Sequence, residues 1–486
     1  MKLQFPISLR HALSWLVCVF VLLAPALASE DAVPAVSSAD DSSIPDAGPI
    51  HYTLDEYLTA VMARNPAILS AELDAQSIDY ARRAAKASYF PKLDAIGSTG
   101  YVQGATVSPF ITNGAKNTNK VNDYFDLGGG RLTIPVFTDG TFLGINTPPK
   151  VAIVQAQKSQ ADAKVTLAQN EILYRALVIY LQAIAASKLS AILQPKLGAL
   201  QSQVKMLQIK EKYHMVSNEE INGSVAQLAE VNALSQQSQW LTASALIQVT
   251  QLLGVDDPRQ VQIEAEYPEL CPVADYQTLL TSTLLSHPAL TTQQSAVDQA
   301  KAQHALDQTA FLPSVTSQNS YEWGSNFDPP GTDRWLAALT VSVPLFDGGE
   351  NYFKVRSSAT KLESEKQQLY QVKLDIESDL QAAYTALEDS NVAYATSLVS
   401  LNKENLEHQR NEILYKHGQI SMADYLSSQI AYADAAYAAE SCHFRLLLAY
   451  AGLERVSSGA WLKNIREKLI KGNDFGQSHP GWFKLP

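Results

Sequence analysis

The stretch from Tyr415 to Leu426 holds an acidic side chain whose type and position suggest a chemical role. Gly418 suits the end of one helix, Ser421 suits the N-cap of the next, and Asp424 falls at the N3 position of that helix. A carboxylate there faces the positive end of the helix dipole. Carboxylates repeated around a common axis also bind cations. Helix capping alone is the alternative, and the sequence leaves both interpretations open.

Residues for catalysis, cofactor binding or metal binding form no recognisable motif in the sequence. The chain lacks Gly-x-x-x-x-Gly-Lys, His-Glu-x-x-His, Cys-x-x-Cys and Gly-x-Ser-x-Gly. Its 9 histidines are scattered, and the spacing of His408 and His417 does not make a metal site. We therefore expect no enzymatic activity, no catalytic residue, no cofactor and no metal site.

Two similar corners join a predicted strand to a long predicted helix. Before the second corner, alternate residues from Trp335 to Val343 are apolar, which is typical of a strand with one apolar face. After it, helix-forming residues continue to about Leu414 without proline or glycine. Proline ends backbone pairing, and glycine permits a tight turn. The corner residues, including the prolines that end the helix before each pair of strands, are Pro91, Pro135, Pro313, Pro344, Phe137, Phe346, Gly140 and Gly349.

The N-terminus predicts export. Residues 1–28 combine Lys2 and Arg10, an apolar run and a small-x-small cleavage site, as in a signal peptide. Removal of this segment leaves 35 basic and 49 acidic residues, a formal net charge of −14, which disfavours nucleic acid as a partner. The two cysteines that remain, Cys271 and Cys442, are not a disulfide framework, and the sequence does not decide whether they pair.

The rest of the chain is predicted to be built twice. Each half has helices, two strands around a polar loop, a long helix, a turn and a further helix, and we expect Pro195 and Gly198 to kink or break the first long helix. The predicted segments are a flexible leader at 29–50, a first repeat at 51–254 with a β-hairpin at about 92–134 and a long helix at about 149–210, a connector at 255–273, a second repeat at 274–456 with a β-hairpin at about 314–343 and a long helix at about 350–414, and a C-terminal tail at 457–486.

The four predicted strands have the length and the aromatic residues of membrane-spanning strands. Tyr101, Tyr124 and Phe125 in one half, and Tyr321, Trp323 and Trp335 in the other, stand near the outer strand ends. Because a membrane barrel has no open edges, other copies of the chain would have to complete it. A soluble pair of hairpins is the alternative.

The order of these features resembles the TolC family of outer-membrane efflux proteins. The resemblance covers about residues 51–456 and rests on two copies of Asn/His-Pro-Ala, a β-hairpin, Pro-x-Phe-x-x-Gly and a long helix. It implies a mainly α fold with a small β part. In that fold, three chains give one twelve-stranded transmembrane β-barrel, four strands from each chain, and a long periplasmic α-helical barrel.

The resemblance also implies a function and partners. We expect an outer-membrane channel-tunnel of a tripartite efflux or type I secretion system, located in the cell outer membrane with a large periplasmic part. It would be a passive exit duct for substrates that an inner-membrane pump delivers through a periplasmic adaptor (membrane fusion) protein. The transported substrate and the class of pump do not follow from the sequence. The rival hypothesis is a periplasmic coiled-coil scaffold or adhesin without a pore.

The same resemblance implies a gate at the periplasmic helix tips. The family pattern matches Tyr415, Gly418 and Asp424 in the second turn, whereas His214 and Glu220 take the glycine and acid positions of the first. It further implies a hydrogen-bonded lock between Glu220 and Tyr415. Two positions depart from the best-known member, which has an arginine and a second aspartate where this chain has Ile420 and Ser427.

Overall fold

The computed structural model describes residues 50–107, 118–254, 261–263, 266–268, 273–324 and 333–457. The predicted signal peptide, all but the last residue of the leader, most of the connector with Cys271, and nearly all of the C-terminal tail lie outside these residues. From His51 onward the chain is one structural unit. Its helices are α1 (Leu54–Arg64), α2 (Pro66–Ala87), α3 (Pro149–Lys212), α4 (Asn218–Leu253), α5 (Tyr276–Ser286), α6 (Pro288–Thr309), α7 (Glu350–Lys416) and α8 (Met422–Ser457). Its strands are β1 (Ile50–Tyr52), β2 (Lys92–Val107), β3 (Thr118–Thr138), β4 (Thr141–Phe142), β5 (Val261–Ile263), β6 (Ser314–Gly324) and β7 (Asp333–Ser342).

Side-chain caps set the helix boundaries. At the start of α1, Thr53 Oγ1 accepts a hydrogen bond from the Glu56 amide at 3.3 Å, and the Glu56 carboxylate accepts one from the Thr53 amide at 3.1 Å. Asn65 then ends α1 and caps α2, whose first residue is Pro66. His287 does the same between α5 and α6, because its Nδ1 accepts a hydrogen bond from the Ala289 amide at 3.2 Å.

The second half corrects one predicted boundary. The sequence predicted a helical segment from Leu284 to Ala310, with His287-Pro288-Ala289 at the place of the Asn65-Pro66-Ala67 interruption. The structure has two helices that meet at His287, and the first begins earlier than predicted, at Tyr276. The physical reason is an N-cap that the prediction overlooked, since Asp275 Oδ2 accepts a hydrogen bond from the Gln277 amide at 3.3 Å. The order of two helices, two long strands and two helices occurs on both sides of β5. That the halves are a tandem repeat stays a prediction.

The four long strands form one antiparallel sheet in the order β2-β3-β6-β7. The two predicted hairpins are therefore not separate, because β3 of the first pairs with β6 of the second. The prediction that Pro135 ends its strand is wrong, since β3 starts at Thr118 and continues through Pro135 to Thr138. A register shift between Pro135 and Phe137 accompanies this proline, which has no amide hydrogen to donate.

Helix α3 lies at the centre of the helical part. Its residues Leu173, Tyr180 and Ile184 are buried against α1 and α4, and other α3 leucines pack against α8. At about 1.5 Å per residue, α3 and α7 each extend roughly 95–100 Å. Pro195 lies inside α3 without ending it, so it does not break the helix, and the alternative, a kink, stays a prediction. Among the described helices, α3 alone is long and apolar enough to cross a membrane, but 56% of its most apolar window is buried, as in a core helix.

Helix α7 differs from α3 because much of its surface is uncovered. Its buried residues are Ser358, Ile376, Leu380 and Ser390. A long series of large apolar side chains on α7 is exposed: Tyr352, Phe353, Tyr370, Leu374, Val392, Leu398, Val399, Leu406 and Ile413. An apolar surface of this extent is typical of a face that another subunit covers.

Candidate functional site

The two turns that end the long helices share one backbone motif. In the first, His214 donates to Glu211 O at 2.8 Å and Met215 to Lys210 O at 3.0 Å. In the second, Gly418 donates to Tyr415 O at 2.9 Å and Gln419 to Leu414 O at 2.9 Å. His214 and Gly418 both have left-handed backbones, with φ of 56° and 69°. The equivalence of these two positions, which the resemblance implied, therefore holds in the backbone.

Both predicted tip acids lie in the first turn of the next helix. Ser217 caps α4 and accepts from the Glu220 amide at 3.3 Å. In the second turn, the Asp424 carboxylate accepts from the Ser421 hydroxyl at 2.6 Å and from the Ser421 amide at 3.2 Å. These hydrogen bonds lower the pKa of Asp424, with the hydroxyl as the larger cause. Glu220 and Asp424 are both exposed. The local geometry therefore shows helix capping and leaves both carboxylates accessible.

Tyr415 belongs to an aromatic stack that the sequence reasoning missed. Its ring stacks on Tyr425 at 5.0 Å between centroids, Tyr425 stacks on His408 at 5.6 Å, and His408 stacks on Tyr432 at 5.5 Å. His408 and Tyr415 are seven residues apart on α7, as are Tyr425 and Tyr432 on α8, and this matched spacing was the available signal. Within the described part of the chain, no hydrogen bond joins Tyr415 to Glu220, and the predicted lock between them stays a prediction.

The first corner is held by a buried tyrosine. Tyr89 donates to Asp139 Oδ2 at 2.6 Å, and Lys150 forms an ion pair with the same oxygen at 2.9 Å. Burial raises the pKa of Tyr89, and the hydrogen bond to Asp139 raises it further. Gly140 has a φ of 74°, and a Cβ there would lie 3.0 Å from Thr309 Cγ2, so the position needs glycine. Pro91 lies in the short stretch between Tyr89 and strand β2, as predicted.

The second corner is held by an exposed aspartate. Asp347 accepts from the Gly349 amide at 3.0 Å and from the Asn351 amide at 2.9 Å, and these bonds lower its pKa, the Asn351 amide most. Gly349 is the N-cap of α7, with a φ of 90°. Phe346 is 91% exposed in the single chain, whereas Phe137 is half-buried. Pro313 and Pro344 lie just outside β6 and β7, so only Pro135 departs from the predicted role.

The sheet has two chemically different faces. Strand register places Ala95, Gly130, Tyr321 and Trp335 in one row and Asp94, Arg131, Ser320 and Leu336 in the next, and alternate rows share a face. The apolar face includes Leu93, Tyr101, Leu132, Ile134, Tyr321, Trp323, Trp335, Leu339 and Val341. The polar face includes Lys92, Asp94, Arg131, Thr133, Gln318, Ser320, Glu322, Arg334 and Thr340, together with two large apolar residues, Ile96 and Leu336. The side chains of Tyr124 and Phe125 lie outside the described part.

No group of three or more histidine, cysteine or acidic side chains suited to a metal ion occurs among the described residues. Cys442 is a free thiol. His443 instead lies in an aromatic pocket, stacked on Tyr394 at 4.7 Å and edge-on to Tyr267 at 4.8 Å. Tyr267 donates to Glu440 at 2.6 Å, and Lys188 Nζ lies 3.9 Å from the centre of its ring. These contacts hold a residue of the connector between the helices.

Comparison with known proteins bears on the two predicted functions. The sequence model of the family described as "Outer membrane efflux protein" matches residues 279–456. This part of the chain is therefore similar to outer membrane efflux proteins. The match confirms the resemblance to the TolC family and the expected outer-membrane location. The matched family consists of channels for transport rather than of enzymes. No curated protein matches the sequence.

Solved structures show that the likeness in fold extends to most of the chain. The outer-membrane channel OprN has a TM-score of 0.69 at 15% identity, over 84% of this chain and 90% of OprN. The Campylobacter jejuni CmeC outer membrane channel has a TM-score of 0.69 at 14% identity, over 86% and 89%. The open state of the Neisseria gonorrhoeae MtrE outer membrane channel has a TM-score of 0.67 at 16% identity, over 84% and 89%. The mainly helical fold with a small antiparallel sheet is therefore that of outer-membrane channels.

Proposed function

We propose that this efflux protein is one subunit of a homotrimeric outer-membrane channel-tunnel. Three copies of the sheet join edge to edge into a twelve-stranded barrel, and the long helices form a periplasmic α-helical barrel. The observation that carries the proposal is the sheet itself, with one apolar face, one polar face and two strands, β2 and β7, at its edges. A sheet of this kind is stable in a membrane only when its edges are closed.

The uncovered face of α7 supports the trimer. Exposed side chains such as Phe353, Val392 and Val399 line a helix that buries few residues within its own chain. Covering them with a neighbouring subunit removes apolar surface from water at about 25 cal/mol per Å². In this arrangement residues 51–254 and 274–456 of each chain contribute the corresponding halves of the wall.

The channel is a passive exit duct in a tripartite efflux or type I secretion system. An inner-membrane pump delivers the substrate, and a periplasmic adaptor (membrane fusion) protein docks at the two turns. Glu220, Tyr415, Gly418 and Asp424 form the gate. Support for this assignment comes from the exposed carboxylates and the shared turn motif at the ends of α3 and α7 that are remote in sequence from the sheet.

Conductance tests the duct directly. Purified trimer in a planar lipid bilayer is expected to show a small conductance that rises when Asp424→Ala and Tyr415→Ala are combined, because both changes loosen the second turn. Gly223→Ala is the matched control, since Gly223 lies inside α4 and a Cβ there meets nothing within 4 Å. Absence of conductance in both wild type and the double variant, together with extraction without detergent, would support the pore-free scaffold instead.

A further inference from the structure

A cluster of charged side chains on the polar face of the sheet has no role in the gate. Arg334 donates to Glu322 Oε2 at 2.7 Å, and the two residues face each other across β6 and β7. Glu322 is only 8% exposed, whereas the side chain of Arg334 is 56% exposed. The carboxylate is therefore neutralised by Arg334 and holds that guanidinium at the sheet surface.

Gly129 provides the room for Glu322. The register places Gly129 directly opposite Glu322 on β3. A Cβ at position 129 would lie 3.2 Å from Glu322 Cγ and 2.3 Å from the backbone oxygen of Tyr321. Real side chains do not tolerate the second distance, so the chain needs glycine here for β3 and β6 to approach. The close approach fixes Glu322 against the sheet.

Arg131 adds a second guanidinium that is not neutralised. It is two residues beyond Gly129 on the same face, which makes it a diagonal neighbour of Glu322. Its Nε is buried and has no hydrogen-bond partner among the described residues. Asp94 faces Arg131 across β2 and β3, yet no ion pair joins them. The register places three basic residues (Lys92, Arg131 and Arg334) and three acidic residues (Asp94, Asp123 and Glu322) on this face, so the charges of the face balance. Asp123 lies eight residues from Arg131 along β3, so the positive charge is local to the cluster.

We propose that Arg131 and Arg334, positioned by Glu322, bind multivalent anions such as phosphate- or sulfate-bearing solutes inside the barrel. The inference rests on the proposed function, because only barrel closure turns the polar face toward a lumen. Guanidinium groups suit such ligands because their planar donors match phosphate and sulfate oxygens. Closure repeats the cluster three times around one axis, so one anion with several charges contacts more than one copy. The cluster thus favours anions locally, although the chain as a whole is acidic.

Block of conductance by inorganic tripolyphosphate tests this proposal. The probe is added on the barrel side of a planar bilayer in about 0.1 M KCl, where the screening length is about 10 Å. We expect tripolyphosphate to block the conductance at a lower concentration than inorganic phosphate does. Arg131→Gln should raise the half-blocking concentration about tenfold, which corresponds to about 1.4 kcal/mol. Glu322→Gln should lower the half-blocking concentration, because the variant removes a carboxylate that competes with the anion for Arg334.

Lys92→Gln is the matched control. Lys92 carries a positive charge on the same face but lies nearer the corners than Arg131 does. Its replacement should therefore change the half-blocking concentration by less than about twofold. If Arg131→Gln does not assemble, Arg131→Lys keeps the charge without the planar donors and should raise the half-blocking concentration about threefold. The anion site would be overturned if wild type and Arg131→Gln had the same half-blocking concentration. It would also be overturned if Lys92→Gln raised that concentration as much as Arg131→Gln does. Absence of any conductance, even with Asp424→Ala, would instead overturn the duct and the site that depends on it.

Discussion

At the scale of single residues, the two helix turns place different residue types at a position that needs a left-handed backbone. His214 and Gly418 adopt the same left-handed conformation, which an L side chain adopts only at a cost. His214→Gly should therefore stabilise the first turn by about 1 kcal/mol. Gly418→Ala should destabilise the second by a similar amount, because a Cβ there meets no atom within 4 Å and adds only backbone strain. Amide hydrogen exchange at the start of α4 and α8 measures both effects, and slower exchange in Gly418→Ala would contradict this account.

His443 should make stability depend on pH. Burial lowers the pKa of His443, and this effect is larger than that of the nearby Glu440 carboxylate, which raises the pKa. The Lys188 ammonium lowers it further. The folded protein therefore favours the neutral imidazole. The contribution of His443 to the free energy of unfolding is complete above about pH 6.5, the pKa of histidine in the unfolded chain, and is lost as the pH falls through the lower pKa of the folded protein. His443→Phe keeps a ring against Tyr394 and Tyr267 and should reduce the loss of thermal stability between pH 7.5 and pH 5.

Tyr394→Phe is the control for this pH effect, because it preserves the ring against His443 and leaves the imidazole in place. The thermal stability of Tyr394→Phe should fall between pH 7.5 and pH 5 by as much as that of wild type. An unchanged pH dependence in His443→Phe would mean that other groups determine the acid sensitivity.

Local chemistry explains which residue-scale features the sequence could predict. Caps such as Thr53, Ser217 and Ser421 act on amides two to three residues away, so their spacing alone identifies them. The aromatic stack of Tyr415 and the pocket of His443 depend on how α7 and α8 pack against each other. The matched seven-residue spacing on the two helices was the available signal for the stack, whereas the pocket of His443 joins residues distant in sequence that no local rule brings together.

At the scale of elements, glycine determines how closely β3 and β6 approach. Gly129→Ala places a methyl group 2.3 Å from the Tyr321 backbone oxygen, so the strands must separate, at a cost of about 1–3 kcal/mol or more. We expect less protein to be recovered as a folded oligomer from membranes. Gly97→Ala is the matched control in β2, since a Cβ there meets nothing within 4 Å and assembly should be unchanged. Full recovery of Gly129→Ala would contradict the observed strand contact.

Two prolines show why element boundaries were only partly predictable. Proline predicts a break because it lacks an amide hydrogen, and Pro344 does follow the end of its strand. Pro135 continues its strand because a register shift accommodates it, and Pro195 lies exposed within α3. Tertiary packing overrides local preference at both sites. The pairing of β3 with β6 joins residues about 190 positions apart, which period-2 patterning does not reveal.

At the scale of the whole molecule, a single chain leaves two surfaces that need partners. The edge strands β2 and β7 expose backbone groups, and α7 exposes an apolar face. Closure into a trimer satisfies both with one symmetry axis. In the proposed trimer, the same axis would bring three copies of Asp424 together at the helix turns and three copies of Arg131 together in the sheet.

The mass of the detergent-extracted species, measured by light scattering, tests this central claim most directly. We expect a protein mass near three times that of the mature chain, because only three four-stranded sheets close the twelve-stranded barrel. Phe353→Asp on the uncovered face of α7 should reduce the trimer fraction, whereas Asp389→Asn on an exposed part of the same helix should not. A monomer that is soluble without detergent would contradict the account, because its four strands would then have open edges that no membrane accommodates.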